Sequence, residues 1–145
     1  MKRMISALAV VAFLFVSVFC YADGRVIPIN QLPAAAQTFI KTHFADKTAA
    51  YAEKDRDHGI KYEVKFTDGT EIDFNSKGEW DKVDCKYSAV PAALVPAAIA
   101  TYVQTNFAGA LITKIDKEHY GYEIELSTDL ELKFDRNGNL MYIDD

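Results

Sequence analysis

Three kinds of hydrophobic patterning follow one another along the chain. Residues 4–19 run without a charge and are rich in Ala, Val, Leu and Phe, directly after the basic Met1-Lys2-Arg3. Cys20-Tyr21-Ala22 then gives way to the polar Asp23-Gly24-Arg25. Next comes a segment in which Leu32, Ala36, Phe39, Ile40 and Phe44 recur at helical spacing, which predicts an amphipathic helix. Pro33 suits its first turn, where a missing N–H costs nothing. After the helix the period drops to two. Tyr62, Val64 and Phe66 alternate with Glu63 and Lys65, and Ile72 and Phe74 alternate with Glu71 and Asp73, as in half-buried strands.

The helical and alternating patterns then recur. Leu32–Phe44 aligns without a gap on Val95–Phe107, keeping Pro, two Ala, two Thr and the final Phe. Tyr62-Glu63-Val64-Lys65-Phe66 falls on Tyr122-Glu123-Ile124-Glu125-Leu126, Glu71–Phe74 on Glu131–Phe134, and Gly78 on Gly138. The second copy is shorter only in the loop before its second strand. The pattern is that of a duplication.

Turn chemistry fixes the expected register. A three-residue hairpin loop ending in Gly69 pairs Phe66 with Thr70, Val64 with Ile72 and Tyr62 with Phe74, so the apolar residues share one face. The second copy pairs Ile124 with Leu132 and Tyr122 with Phe134 by the same rule. Ser76-Lys77-Gly78 and Arg136-Asn137-Gly138 make the next hairpins, leading into Trp80–Val83 and Leu140–Ile143. A further strand is expected in each copy, around Thr48–Glu53 and Leu111–Lys117. The expected fold class is therefore α+β, a tandem repeat of two αβ4 units: residues 23–85, a linker at 86–91, and residues 92–145. One such unit buries little core alone, so the two are expected to share an antiparallel sheet with both helices on one face.

The opening segment changes the picture of where the chain works. A basic start, an apolar stretch and small residues before a polar switch describe a secretory signal peptide over residues 1–22. The apolar stretch is shorter than the ~20 residues of a spanning helix, so no membrane insertion is expected after cleavage at Ala22. The expected location is periplasmic or secreted. A lipoprotein anchored through Cys20 is the alternative, although Ser17-Val18-Phe19 is not the small-residue lead that such signals carry. Without Lys2 and Arg3, sixteen basic residues become fourteen against twenty-one acidic ones, and net charge moves from −5 to −7. That balance gives no reason to expect a nucleic-acid partner. Cys85 then has no partner for an internal disulfide, so the core alone must hold the fold.

Residues capable of chemistry are scattered. His43, His58 and His119 stand at no metal-ligand spacing, and the first aligns with Asn106 in the other copy. Cys85 aligns with Asp145, and no neighbour suggests a base. Asp135-Arg136-Asn137-Gly138-Asn139 has the composition of a calcium loop, but its Gly comes too early and no Glu stands at the twelfth position. No catalytic motif, metal site or cofactor is expected.

The combination Leu32-Pro33-Ala34-Ala35, a helix ending in Phe44, Tyr62-Glu63-Val64-x-Phe66-x-Asp68-Gly69-Thr70-Glu71-Ile72-x-Phe74 and Lys77-Gly78-Glu79-Trp80 resembles the exported PepSY-like, or β-lactamase-inhibitor-like, proteins of Bacteroidetes. The resemblance spans Pro28 to Asp145. The second copy departs from it, with Thr128-Asp129 in place of Asp-Gly and Leu140 in place of Trp. The resemblance implies tandem αβ4 units with a solvent-open sheet surface. It also brings peptidase inhibition, proposed for the wider PepSY group, and β-lactamase inhibition, which belongs to the fold's namesake; a shared fold does not transfer either activity.

A partner surface is expected on the sheet face opposite the helices. It would carry Glu63, Lys65, Glu71 and Asp73 from the first copy and Glu123, Glu125, Glu131 and Lys133 from the second. Continued alternation adds Val83, Met141 and Ile143 as an apolar cluster among the charges, unless bulges turn these inward. The expected function is a non-catalytic exported binding or inhibitory module of the cell envelope that holds a protein partner such as a peptidase on this face. The alternative is a structural or assembly factor without a soluble target.

Overall fold

The computed structural model describes residues 24–145, so the signal peptide and Cys20 lie outside the described residues. The chain forms β1 (Arg25–Ile27), α1 (Ala34–His43), β2 (Ala49–Asp55), β3 (Lys61–Phe66), β4 (Glu71–Phe74) and β5 (Trp80–Asp84). It continues through α2 (Ala97–Asn106), β6 (Ile112–Glu118), β7 (Gly121–Leu126), β8 (Glu131–Asp135) and β9 (Leu140–Asp144). Among the described residues all nine strands join one antiparallel sheet in the order of the sequence. The class is α+β: mostly antiparallel sheet with two helices.

Each helix starts immediately after its proline. Pro33 and Pro96 occupy the cap position, and their carbonyls accept the first helical bonds, from Gln37 at 3.1 Å and Ala100 at 3.0 Å. A residue at this position needs no donor of its own, which is why proline fits there. Each helix ends where a phenylalanine leaves the helical region: the Phe44 and Phe107 N–H groups donate to Ile40 and Val103 at 2.8 Å.

The hairpins hold the register that the alternation predicts. Phe66 N–H donates to Thr70 at 2.8 Å, Val64 pairs with Ile72, and Tyr62 with Phe74. In the other half Ile124 pairs with Leu132 and Tyr122 with Phe134. Cross-strand pairing carries one apolar row across every strand: Ile27, Ala52, Val64, Ile72, Val83, Ile115, Ile124, Leu132 and Ile143. All but Ile143 are buried, and each large aliphatic side chain in the row contributes about 1.5–3 kcal/mol of burial.

Each helix sets one aromatic ring against a buried phenylalanine of the sheet. The Phe39 ring meets Phe74 edge-on at 5.6 Å, and the Tyr102 ring meets Phe134 edge-on at 5.5 Å. Gly78 brings the β4–β5 turn against Pro33 and Ala36, and Gly138 brings the β8–β9 turn against Ala98. Three features escaped the sequence reading. β1 adds a strand by pairing with β2. Short 3-10 turns at Ile29–Gln31 and Ala92–Leu94 lead into the helices. The stretch at 86–91 is tied down, with Val90 buried and its N–H donating to Ile112 at 2.8 Å.

Candidate functional site

The face opposite the apolar row is built from two parallel rows of charge. One runs Glu53, Glu63, Asp73, Lys82, Asp116, Glu123, Lys133 and ends at Tyr142. The next begins at Tyr51 and runs Lys65, Glu71, Asp84, Lys114, Glu125, Glu131 and Asp144. In each row five carboxylates stand against two lysines, so the face is strongly acidic. Strand alternation places these side chains here, because i and i+2 share a face.

The lysines are shared among carboxylates. Lys65 reaches Glu63 at 3.1 Å and Glu71 at 3.5 Å; Lys133 reaches Glu131 at 3.2 Å and Glu123 at 3.3 Å. Lys114 meets Asp116 at 3.2 Å, and Lys86 meets Asp84 at 2.8 Å and Glu71 at 3.7 Å. The bond to Glu63 raises the Lys65 pKa and that to Glu131 raises the Lys133 pKa. Glu125 lies directly opposite Glu131.

Crowding on the middle strands perturbs the acids. Burial pushes the Asp73 carboxyl up to about 6, Lys82 opposes it, and Glu63, Asp116 and Glu71 push further. Asp116 is raised by burial too, against Lys114. For Asp84 burial works upward, but hydrogen bonds from the Lys86 ammonium and backbone N–H hold the carboxyl below its ordinary value. A carboxyl with a pKa near 6 changes charge just below neutral pH, well above the usual carboxylate range.

The structure brings Glu63, Lys65, Glu71, Asp73, Glu123, Glu125, Glu131 and Lys133 together on this face. It does not bring Val83 there. A bulge between Asp73 and Phe74 pairs Phe74 with Trp80 and Ile72 with Val83, so Val83 turns into the core and is fully buried. The matching bulge between Lys133 and Phe134 puts Ile143 in the apolar row opposite Leu132, with Tyr142 on the charged face instead. Met141 falls in the bulge itself and is exposed. The expected apolar cluster amid the charges is therefore absent. Tyr51 and Tyr142 supply the exposed rings at the ends of the rows.

Elsewhere, side chains with reactive groups have structural surroundings. Cys85 is buried, and burial pushes its thiol up, the opposite of an activated nucleophile. Beside it the buried Thr70 hydroxyl faces the thiol and Asp68, whose carboxyl is held at about 2 by its hydrogen bond with Lys47. Asp135 accepts the Asn137 and Asn139 N–H groups at 2.8 and 2.9 Å, closing a hairpin turn. Among the described residues no group of three or more His, Cys, Asp or Glu is placed to hold a metal ion, and no helix is long and apolar enough to cross a membrane.

Comparison with known proteins adds an identity to this geometry. The family profile described as "Putative beta-lactamase-inhibitor-like, PepSY-like" matches residues 21–65 and 60–142. A solved structure described as a "putative calcium-regulated periplasmic protein" from Bacteroides thetaiotaomicron is 45% identical, with a TM-score of 0.82, covering 85% of this chain and 98% of its own. A "putative periplasmic protein" from Bacteroides vulgatus is 47% identical at a TM-score of 0.81, covering 86% and 99%. Another from that organism is 38% identical at 0.81, covering 84% and 99%. No curated protein matches the chain.

Proposed function

Since the chain belongs to the PepSY-like, beta-lactamase-inhibitor-like family, we propose that it is a non-catalytic, exported binding module that holds a protein partner on its charged sheet face. Two repeated αβ4 units share the sheet, with both helices on the apolar side. The paired contacts Phe39–Phe74 and Tyr102–Phe134 support that arrangement. Export is supported by the basic and apolar opening of the sequence, and a periplasmic location by the descriptions of the similar solved chains.

The observation that carries the reading is the pair of acidic rows spanning the sheet from β2 to β9. A solvated surface of this sign selects partners with an excess of Lys and Arg and speeds their encounter, an effect that salt weakens. Ion pairs exposed in this way add little to folding stability, so the residues can be changed without loss of the fold. Calcium, named for one relative, finds no cluster of ligands among the described residues, and the reading includes no metal.

The test is affinity capture of envelope proteins by the mature chain beside a folded Glu71→Lys/Glu131→Lys variant. A protein retained by the first, lost by the second and released by salt supports the reading. Equal retention by both would make the face ordinary solvated surface.

A further inference from the structure

The two outer edges of the sheet are finished differently. At one edge β1 is three residues long, and Ile27, its member of the apolar row, is only 7% exposed. At the other edge Ile143 is 42% exposed, with Met141 at 58% and Tyr142 at 56% beside it. β9 is five residues long and contains no Lys or Pro, the residues that commonly protect an edge. Within the described residues its only strand partner is β8.

The chain itself shows what covers an edge of this kind. β5 stands in the first half where β9 stands in the second: Lys82, Val83 and Asp84 correspond to Tyr142, Ile143 and Asp144, following the equivalent turns at Gly78 and Gly138. β5 is covered by β6, which sets Asp116 against Lys82, Ile115 against Val83 and Lys114 against Asp84. Under that cover Val83 is fully buried. Cys85 N–H donates to Thr113 at 2.8 Å in the same pairing, and alternation then points the Val83 backbone at β6. The Ile143 backbone correspondingly points away from β8, toward the open edge.

We propose that the free edge of β9 accepts an extended strand of a partner protein, paired antiparallel, with a branched apolar residue opposite Ile143 and a basic residue opposite Asp144. Main-chain bonds would supply the affinity, and alternate side chains the selectivity. The apolar residue completes the row that stops at Ile143. The basic residue repeats the role of Lys114 opposite Asp84, here beside Glu131 as well. Tyr142 stands where Lys82 stands in β5, so the acid that β6 offers at this point is not required. The proposal shares Asp144 and Glu131 with the acidic rows, but it stands on the open backbone edge at Ile143, and Glu71 on the distant β4 tests the charged face apart from it.

The probe is a capped peptide with the sequence of residues 111–118, Asp116 replaced by Val, titrated into the isotope-labelled mature chain. We expect amide shifts centred on 142–144, and binding weakened at least about tenfold when the peptide also carries Lys114→Glu. Ile143→Pro removes the outward N–H and should abolish the shifts, and Ile143→Lys, which keeps the strand's own donors, should do the same. Glu71→Lys, on β4, should leave peptide binding unchanged while testing the charged face separately. Three results would overturn the proposal: no shifts in β9, shifts centred on another element, or a chain that is dimeric until Ile143→Lys makes it monomeric. The last would give the edge to a second copy.

Discussion

The half of the molecule containing α1 and β2–β5 and the half containing α2 and β6–β9 set corresponding residues against corresponding partners. Phe39 on Phe74 matches Tyr102 on Phe134, and Gly78 beside Ala35 matches Gly138 beside Ala98. The halves part at the surface. Gly69 in the first β-hairpin becomes Asp129 in the second, still at positive φ. Lys65 opposite Glu71 becomes Glu125 opposite Glu131. Buried Cys85 stands where the second half has exposed Asp145. The packed rings and turns therefore match between the two halves, and the differences fall where at least one of the two side chains meets water.

The comparison breaks most visibly if the two cores are unequal. Phe74→Ala and Phe134→Ala each leave a cavity beneath a helix and should each cost about 3–5 kcal/mol by denaturant unfolding. One large and one negligible value would show that a single half holds the fold. Next come the helix-contacting turns. A methyl at Gly78 meets the Pro33 Cβ at 2.7 Å and the Ala36 nitrogen at 2.9 Å, whereas at Gly138 it meets the Ala98 Cβ at 2.7 Å. Both positions have positive φ, costing a non-glycine residue about 1–2 kcal/mol. Gly78→Ala should exceed Gly138→Ala because backbone yields less readily than a side chain, and equal melting temperatures would deny that difference.

Smaller effects sharpen the surface contrast. Gly69→Asp should cost about 1 kcal/mol and Asp129→Gly should change stability by less than about that, since Asp tolerates this conformation better than most residues. Asp73→Asn addresses the crowded face. Its native pKa lies above the unfolded value, so between about 4 and 6 the folded state holds the extra proton and stability falls as pH rises through that window. Asn removes this penalty. At neutral pH the variant should be more stable by no more than about 1 kcal/mol, because part of the side chain still meets water. The gain should vanish in acid, and a gain that persists below pH 4 would assign it to another cause.

The register was legible because two signals agreed in both halves: alternation in Tyr62–Phe66 and Glu71–Phe74, and a turn length that kept apolar residues on one face. The last strand of each half was not. Trp80–Val83 and Leu140–Ile143 have apolar residues at both parities, so only the bulges at Asp73/Phe74 and Lys133/Phe134 decide which way Val83 and Ile143 point. Arg25-Val26-Ile27 is too short to show a period and becomes a strand through its pairing with β2. The acids of the candidate site could be named from β3, β4, β7 and β8. Lys82, Asp84, Lys114 and Asp116 could not, because their place on the face depends on β5 lying beside β6. The shift at Asp73 depends on that same neighbourhood.

Carbodiimide labelling of carboxylates, read by mass spectrometry on the mature chain free and bound to a captured envelope protein, tests the central claim most directly. The account predicts protection at Glu71, Glu123 and Glu131, with Asp46 and Glu79 labelled equally in both states. Protection confined to Asp46, Glu79 or other positions off the charged face, with those three labelled as in the free chain, would contradict it.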